Sequence, residues 1–161
     1  MSGYHLAQIN IGRLKAPIDA PETADFKNNL DRVNALAEAS RGFVWRLTGE
    51  GNDATDLVAY DDPLIITNMS VWESPAALGA FVYRSGHQEI MRRRAEWFEP
   101  MDVFIALWWI PAGHQPTLAE GGAKLEHLKA HGPTAEAFTF WAPRPAPNAQ
   151  AAPEPVLDKC A

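Results

Sequence analysis

The stretch FVYRSGHQEIMRRRAEWFEP, residues 81–100, brings the imidazole of His87 close in sequence to the guanidinium groups of Arg84, Arg92, Arg93 and Arg94. An imidazole with an unperturbed pKa of about 6.5 moves protons at neutral pH. A guanidinium aimed at a reacting oxygen stabilises the negative charge that develops there. On a helical wheel at about 100° per residue, Leu78, Phe81, Val82 and Ser85 fall together. His87, Ile90, Met91, Arg94, Trp97 and Phe98 fall on the opposite side. One straight helix cannot bury both sets against one sheet, so a break is predicted at Ser85–Gly86. There the glycine tolerates unusual dihedrals and the serine caps the second helical segment. That segment then turns His87 and Arg94 inward and leaves Arg92, Arg93 and Glu96 in water, with Glu89 and Arg93 as an i,i+4 pair. An inward arginine needs an anion, a carboxylate or a cluster of carbonyls. The plainer alternative has Arg94 reaching past a rim to water and His87 as an ordinary histidine at a helix start.

A second candidate set lies on the strand LIITNMSVWE, residues 64–73. Ile65, Thr67, Met69 and Val71 share one side, suited to packing beneath helices. Ile66, Asn68, Ser70 and Trp72 share the other, where hydrogen-bonding groups stand beside a large ring. Small-molecule pockets carry that mixture, and so do dimer-forming sheet faces. Trp72, Trp97 and Tyr83 are the expected walls of a cavity. Asn68 and Asn10 join Arg94 as groups that would bind a substrate oxygen, and His87 is the expected proton carrier.

The elements that must position these residues are set by the period of the apolar residues. Residues 4–13 alternate as a first strand, with Leu6, Gln8 and Asn10 on one face. Phe26, Leu30, Val33 and Leu36/Ala37 mark a helix closed by Gly42. FVWRLT (43–48) is a second strand, and the polar run GEGNDATDLVAYDDP is a loop. Ser74 and Pro75 open the next helix, and DVFIALWWI (102–110) is the last core strand. In it Trp108 and Trp109 must face opposite sides of the sheet. A helix from about Thr117 to Lys129 comes next, and AFTFW (137–141) is a candidate edge strand. The order βαββαβ predicts an α+β ferredoxin-like sandwich over residues 1–142, with a C-terminal helix. The Pro/Ala-rich remainder, 143–161, is predicted to be a loosely attached tail. Two helices cover one sheet face only, so the other face calls for a partner, most simply a second copy in a homodimer.

Composition removes several function classes. The 161 residues carry a formal charge of −6, against the basic face expected of a nucleic-acid binder. With 47% hydrophobic residues the chain can bury a sizeable core. Cys160 is the only cysteine, so an intrachain disulfide or a thiolate metal cluster is impossible. The longest apolar run, VFIALWWIPA, is about half the ~20 residues of a membrane helix. The N-terminus lacks a basic segment leading into an apolar run, and a cytoplasmic location is expected. His127 and His131 in HLKAH have i,i+4 metal spacing but no third ligand nearby, and read as a solvated helix end.

SVWESPAALGAFVYRSGH resembles the strand-to-helix signature of the dimeric α/β-barrel superfamily, which includes the antibiotic-biosynthesis-type monooxygenases. From HLAQINIGRLKAP through LWWIPAGHQPT to GPTAEAFTF, about residues 4–142, the chain is similar to an uncharacterised bacterial family of that superfamily, a domain of unknown function. The resemblance implies a ferredoxin-like fold and a dimer whose two sheets enclose a cavity. In some cofactor-free oxygenases of the superfamily an Asn on the first strand, a Trp on the third and a His on the second helix surround the substrate. Asn10 and Trp72 stand at matching places. In the haem-degrading branch the iron-ligating histidine sits further along the helix, where this chain has Met91, Arg92 or Arg93. The expectation is therefore a cofactor-independent monooxygenase or isomerase-type enzyme for a small hydrophobic or aromatic compound, in a cavity between sheet and helices. A non-catalytic ligand-binding dimer and a haem-binding protein are the alternatives.

Overall fold

One strand organises the sheet. In the computed structural model, which describes residues 3–48, 62–84, 92–101 and 103–147, β1 (Tyr4–Leu14) pairs antiparallel with three other strands. On one edge it takes β3 (Ile65–Trp72), and β3 in turn takes β2 (Phe43–Arg46). Its other edge is shared. β5 (Ile105–Pro111) lies along Tyr4–Asn10, and the short β4 (Phe98–Glu99) lies along Arg13 and Leu14. The result is a five-stranded antiparallel sheet in a mixed α+β fold.

Four α-helices complete the described elements: α1 (Ala24–Glu38), α2 (Pro75–Arg84), the single turn α3 (Arg94–Trp97) and α4 (Leu118–His131). A 3-10 turn, Pro21–Thr23, leads into α1. Ser74 caps α2 as its sequence position predicts, its Oγ accepting from Ala77 N at 3.1 Å. Thr117 does the same for α4, accepting from Glu120 N at 3.1 Å. Gly42, between α1 and β2, has φ +85°, a conformation that costs glycine nothing and other residues much.

Alternation along β1 and β3 sends two different sets of residues to the two faces. On one, Ile9, Met69, Val71 and Trp108 pack against Leu125 and Leu128 of α4, and the four strand residues are at most 1% exposed. Gly121 makes that approach possible. A Cβ there would stand 2.7 Å from Ile9 Cδ1 and 2.9 Å from Met69 Sδ. On the other face Leu6, Trp72 and Leu107 pack against Ala37 of α1 and Leu78 and Phe81 of α2, with Phe138 and Phe140 closing one end. A third cluster, Leu14, Phe26, Trp97 and Phe98, caps the far end of β1.

This corrects the expected assignment of faces. The row Ile66, Asn68, Ser70, Trp72 lies beneath α1 and α2, not on a bare surface. The row Ile65, Thr67, Met69, Val71 lies beneath α4. A helix of the same chain thus covers the face thought to need a second copy, because α4 has its own apolar stripe and a glycine where it crosses the sheet. AFTFW contributes two isolated bridges and not an edge strand: Leu107–Phe138, closed by two backbone hydrogen bonds of 2.8 and 2.9 Å, and Thr139–Ala142. Trp108 turns to α4 and Trp109 to the opposite face, where its Nε1 donates to Arg144 O at 2.9 Å. The predicted break at Ser85–Gly86 lies outside the described residues. Among the described residues no helix is long and apolar enough to cross a membrane.

Candidate ligand-binding cavity

Strand register brings the polar residues of two strands side by side. β1 and β3 pair Gln8 with Ser70 and Asn10 with Asn68, and β2 sets Arg46 opposite Ser70. All five point to the α1/α2 side, because they share the parity of Leu6 and Trp72. Between this floor and the helices lies a cavity of about 340 Å³. Leu30, Val33 and Phe81 are among its helix-side walls, and Phe104, Ile105 and Phe140 line it from the C-terminal half. Such a volume is at the small end of the range for ligand pockets.

The floor is a closed hydrogen-bond cluster. Trp72 Nε1, which can only donate, gives its hydrogen to Ser70 Oγ at 2.9 Å. Gln8 Nε2 donates to the same Oγ and to Asn68 Oδ1, both at 2.8 Å. Asn10 Nδ2 donates to Gln8 Oε1 at 3.1 Å and, more weakly, to Asn68 Oδ1 at 3.4 Å. Gln8 and Ser70 are buried, and the cluster satisfies them, as burial of polar groups demands. Asn68 is exposed, and its amide hydrogens, which have no partner among the described residues, are available to an incoming ligand. Trp72 is fully buried, and its ring stacks on Phe81 at 5.2 Å between centroids and meets Phe43 edge-on at 5.5 Å. The indole is therefore locked from both sides.

Among the described residues two guanidinium groups reach the cavity. Arg46 has a side chain 7% exposed and pairs with Glu38 Oε1 at 3.4 Å. Arg94, from the single turn α3, lies with Cζ 4.8 Å above the Phe98 ring and 4.9 Å above the Phe104 ring. Among the described residues its Nη2 reaches only the carbonyl of Ile11, at 3.4 Å. Burial pushes this guanidinium below its usual pKa. Its neighbour Arg93 points the other way, to Asp25 at 3.0 Å and Glu96 at 2.9 Å, and those carboxylates push it up. Arg94 faces inward and Arg93 outward, as the wheel predicted. The predicted partner Glu89 lies outside the described residues.

Of the residues singled out by sequence, Asn10, Asn68, Trp72, Tyr83 and Arg94 line one cavity. Tyr83 meets Phe140 edge-on at 6.3 Å. Trp97 does not join them. It is 2% exposed and packs against Phe26 at 5.5 Å, with Arg93 4.6 Å above its ring. As the last residue of α3, it points away from Arg94 and toward α1. His87 lies outside the described residues. Sequence reasoning missed Gln8, Arg46 and Asn34 as site residues. Gln8 carried a signal, a polar side chain alternating between Leu6 and Asn10. Asn34 carried another, an amide inside the apolar stripe of α1 beside Val33 and Ala37, where it is buried at the cavity wall.

Among the described lining residues Tyr83 is the one side chain of a type that ligates haem iron, and both His87 and the Met91 position lie outside them. No group of three or more His, Cys, Asp or Glu able to hold a metal occurs among the described residues. His127 instead pairs with Glu136 at 2.8 Å and Thr134 at 2.9 Å. His114 binds Glu120, in the first turn of α4, at 2.7 Å, and neither lines the cavity.

Three solved structures show partial similarity to the chain. A conserved protein from Methanosarcina mazei Go1 aligns with a TM-score of 0.47 and 15% identity, over 68% of this chain and 93% of its own. A protein of unknown function from Nitrosomonas europaea gives 0.45 and 13%, over 71% and 95%. A protein from Pseudomonas aeruginosa gives 0.47 and 15%, over 71% and 98%. No curated protein matches significantly. Residues 5–154 match one family profile along nearly the whole chain, and the protein belongs to that family, the domain of unknown function DUF3291.

Proposed function

We propose that this protein is a small-molecule enzyme of the dimeric α/β-barrel, antibiotic-biosynthesis-monooxygenase-like type, acting without a cofactor on a flat, largely apolar compound that bears an oxygen. The observation that carries the reading is the floor of the cavity: amide and hydroxyl groups held in register at the base of apolar walls. An arrangement β2-β3-β1-β5, with helices on the cavity face, supports a ferredoxin-like core. In this reading Arg94, Asn68 and Asn10 hold an oxygen on which negative charge develops, and Trp72 and Tyr83 set the plane of the compound. The proton moves to His87, four residues beyond Tyr83 in sequence. The reaction is of monooxygenase or isomerase type, in a cytoplasmic homodimer.

Native mass spectrometry of the purified protein reports assembly and bound compound together. A dimer carrying a small organic molecule, altered on exposure to oxygen by the wild type but not by His87→Ala, is the expected result. The variant should melt within a few degrees of the wild type. Loss of folding in His87→Ala would instead make that histidine structural.

One observation favours a second reading, a non-catalytic binding protein. The described lining residues include no carboxylate, imidazole or thiol, the usual groups for proton transfer and nucleophilic attack. A co-purified compound recovered chemically unchanged, with oxygen present, would establish it.

A further inference from the structure

Arg94 is placed differently from the arginines around it. Arg13 has Asp62 at 2.7 Å and Glu99 at 2.5 Å, Arg93 has Asp25 and Glu96, and Arg46 has Glu38. Arg94 has no carboxylate within ion-pair distance among the described residues. Its one hydrogen bond among the described residues is at the outer limit of length, although a guanidinium carries five donor hydrogens. Two aromatic faces take part of the charge and remove water from around it. The desolvation that lowers its pKa marks a cation held short of compensation.

Among the described residues, the lining of the cavity it opens onto has no acid to supply that compensation. Its polar floor is neutral, and its other cation, Arg46, already has Glu38. From these facts we infer that the compound taken by this cavity is a monoanionic carboxylic acid, its carboxylate paired with Arg94 and its apolar body lying along the walls. The inference rests on the proposed role of the cavity as a ligand site. A neutral carbonyl compound would leave the guanidinium uncompensated, and a phosphate dianion would bury an excess negative charge against neutral amides. One guanidinium without a carboxylate among the described residues matches one carboxylate, in the planar two-point geometry that arginine favours.

The test uses benzoate, 2-naphthoate and 9-anthracenecarboxylate, each beside its uncharged primary amide, titrated calorimetrically into the full-length protein. The wild type should bind at least one acid about tenfold or more tighter than its amide. Arg94→Gln should erase that preference, the acid losing far more affinity than the amide, and Arg94→Lys, which keeps the charge, should retain part of it. A thermal melt of each variant separates loss of recognition from loss of folding. Asn68→Trp, which fills the cavity from its floor, should abolish binding of acid and amide alike. Equal affinity for acid and amide in the wild type, both abolished by Asn68→Trp, would overturn the carboxylate inference and leave the cavity reading standing. Binding of neither kind, or binding indifferent to Asn68→Trp, would overturn both.

Discussion

The same two strands build a dry wall on one side and a wet floor on the other. Beneath α4, Ile9 and Met69 are fully buried, and the helix comes close enough that Gly121 leaves no room for a methyl group. Beneath α1 and α2, one residue away along each strand, Asn10 and Asn68 border a hollow of about 340 Å³. A protein interior is normally close-packed, because voids forfeit dispersion contacts and apolar burial. Here the hollow persists because its floor groups bond to one another and its walls are large rings held by their neighbours. Stability is concentrated on the α4 side, and the capacity to bind is concentrated on the other.

That contrast can be broken from either side. The largest effect is expected from Ile9→Ala, which opens a void in the packed wall. It should cost roughly 2–5 kcal/mol in urea unfolding and leave ligand selectivity in the surviving folded protein intact. Ser70→Ala comes next, because it strips the acceptor from the buried donors Trp72 Nε1 and Gln8 Nε2. A loss of about 1–3 kcal/mol is expected, with a shift in indole fluorescence and weaker ligand binding. Asn68→Leu, at the exposed end of the cluster, should change stability by under about 1 kcal/mol and weaken binding of an oxygen-bearing ligand about tenfold.

The smallest effect belongs to the wall again. Burial alone would raise the pKa of Glu120, but hydrogen bonds from His114 and from Trp108 at 2.9 Å hold it below the usual carboxylate value. Its contribution is therefore present above the unfolded-state pKa of a glutamate, about 4.5, and is lost as pH falls through the lower folded value. Thermal melts from pH 6 down to pH 3 should show the wild type losing slightly more stability than Glu120→Gln. A larger loss in the variant would reverse the assigned sign.

Much of the framework was legible in the sequence, for local reasons. The alternation of Ile65–Trp72, the Ser74–Pro75 helix start and the C-terminal helix beginning at Thr117 each rest on residues close together in the chain. The inward turn of Arg94 was legible for the same reason, since helical spacing fixes it relative to Arg93. The features that were not legible depend on partners far apart in sequence. The glycine that lets α4 lie on Ile9 and Met69 is 112 residues from the first of them and has no local signature. Without that contact the wrong sheet face looked bare. Gln8 became a site residue only through its register with Ser70, and Trp97 left the site because Phe26 of α1 offered a closer surface.

The most direct test of the central claim is an NMR titration of the labelled protein with an aromatic carboxylate, tracking side-chain amide and methyl signals together. The account predicts shifts at the side-chain amides of Gln8, Asn10 and Asn68, with the methyls of Ile9, Met69 and Val71 left in place. Shifts on the α4 side, or at exposed Val44 with the floor amides unmoved, would contradict it.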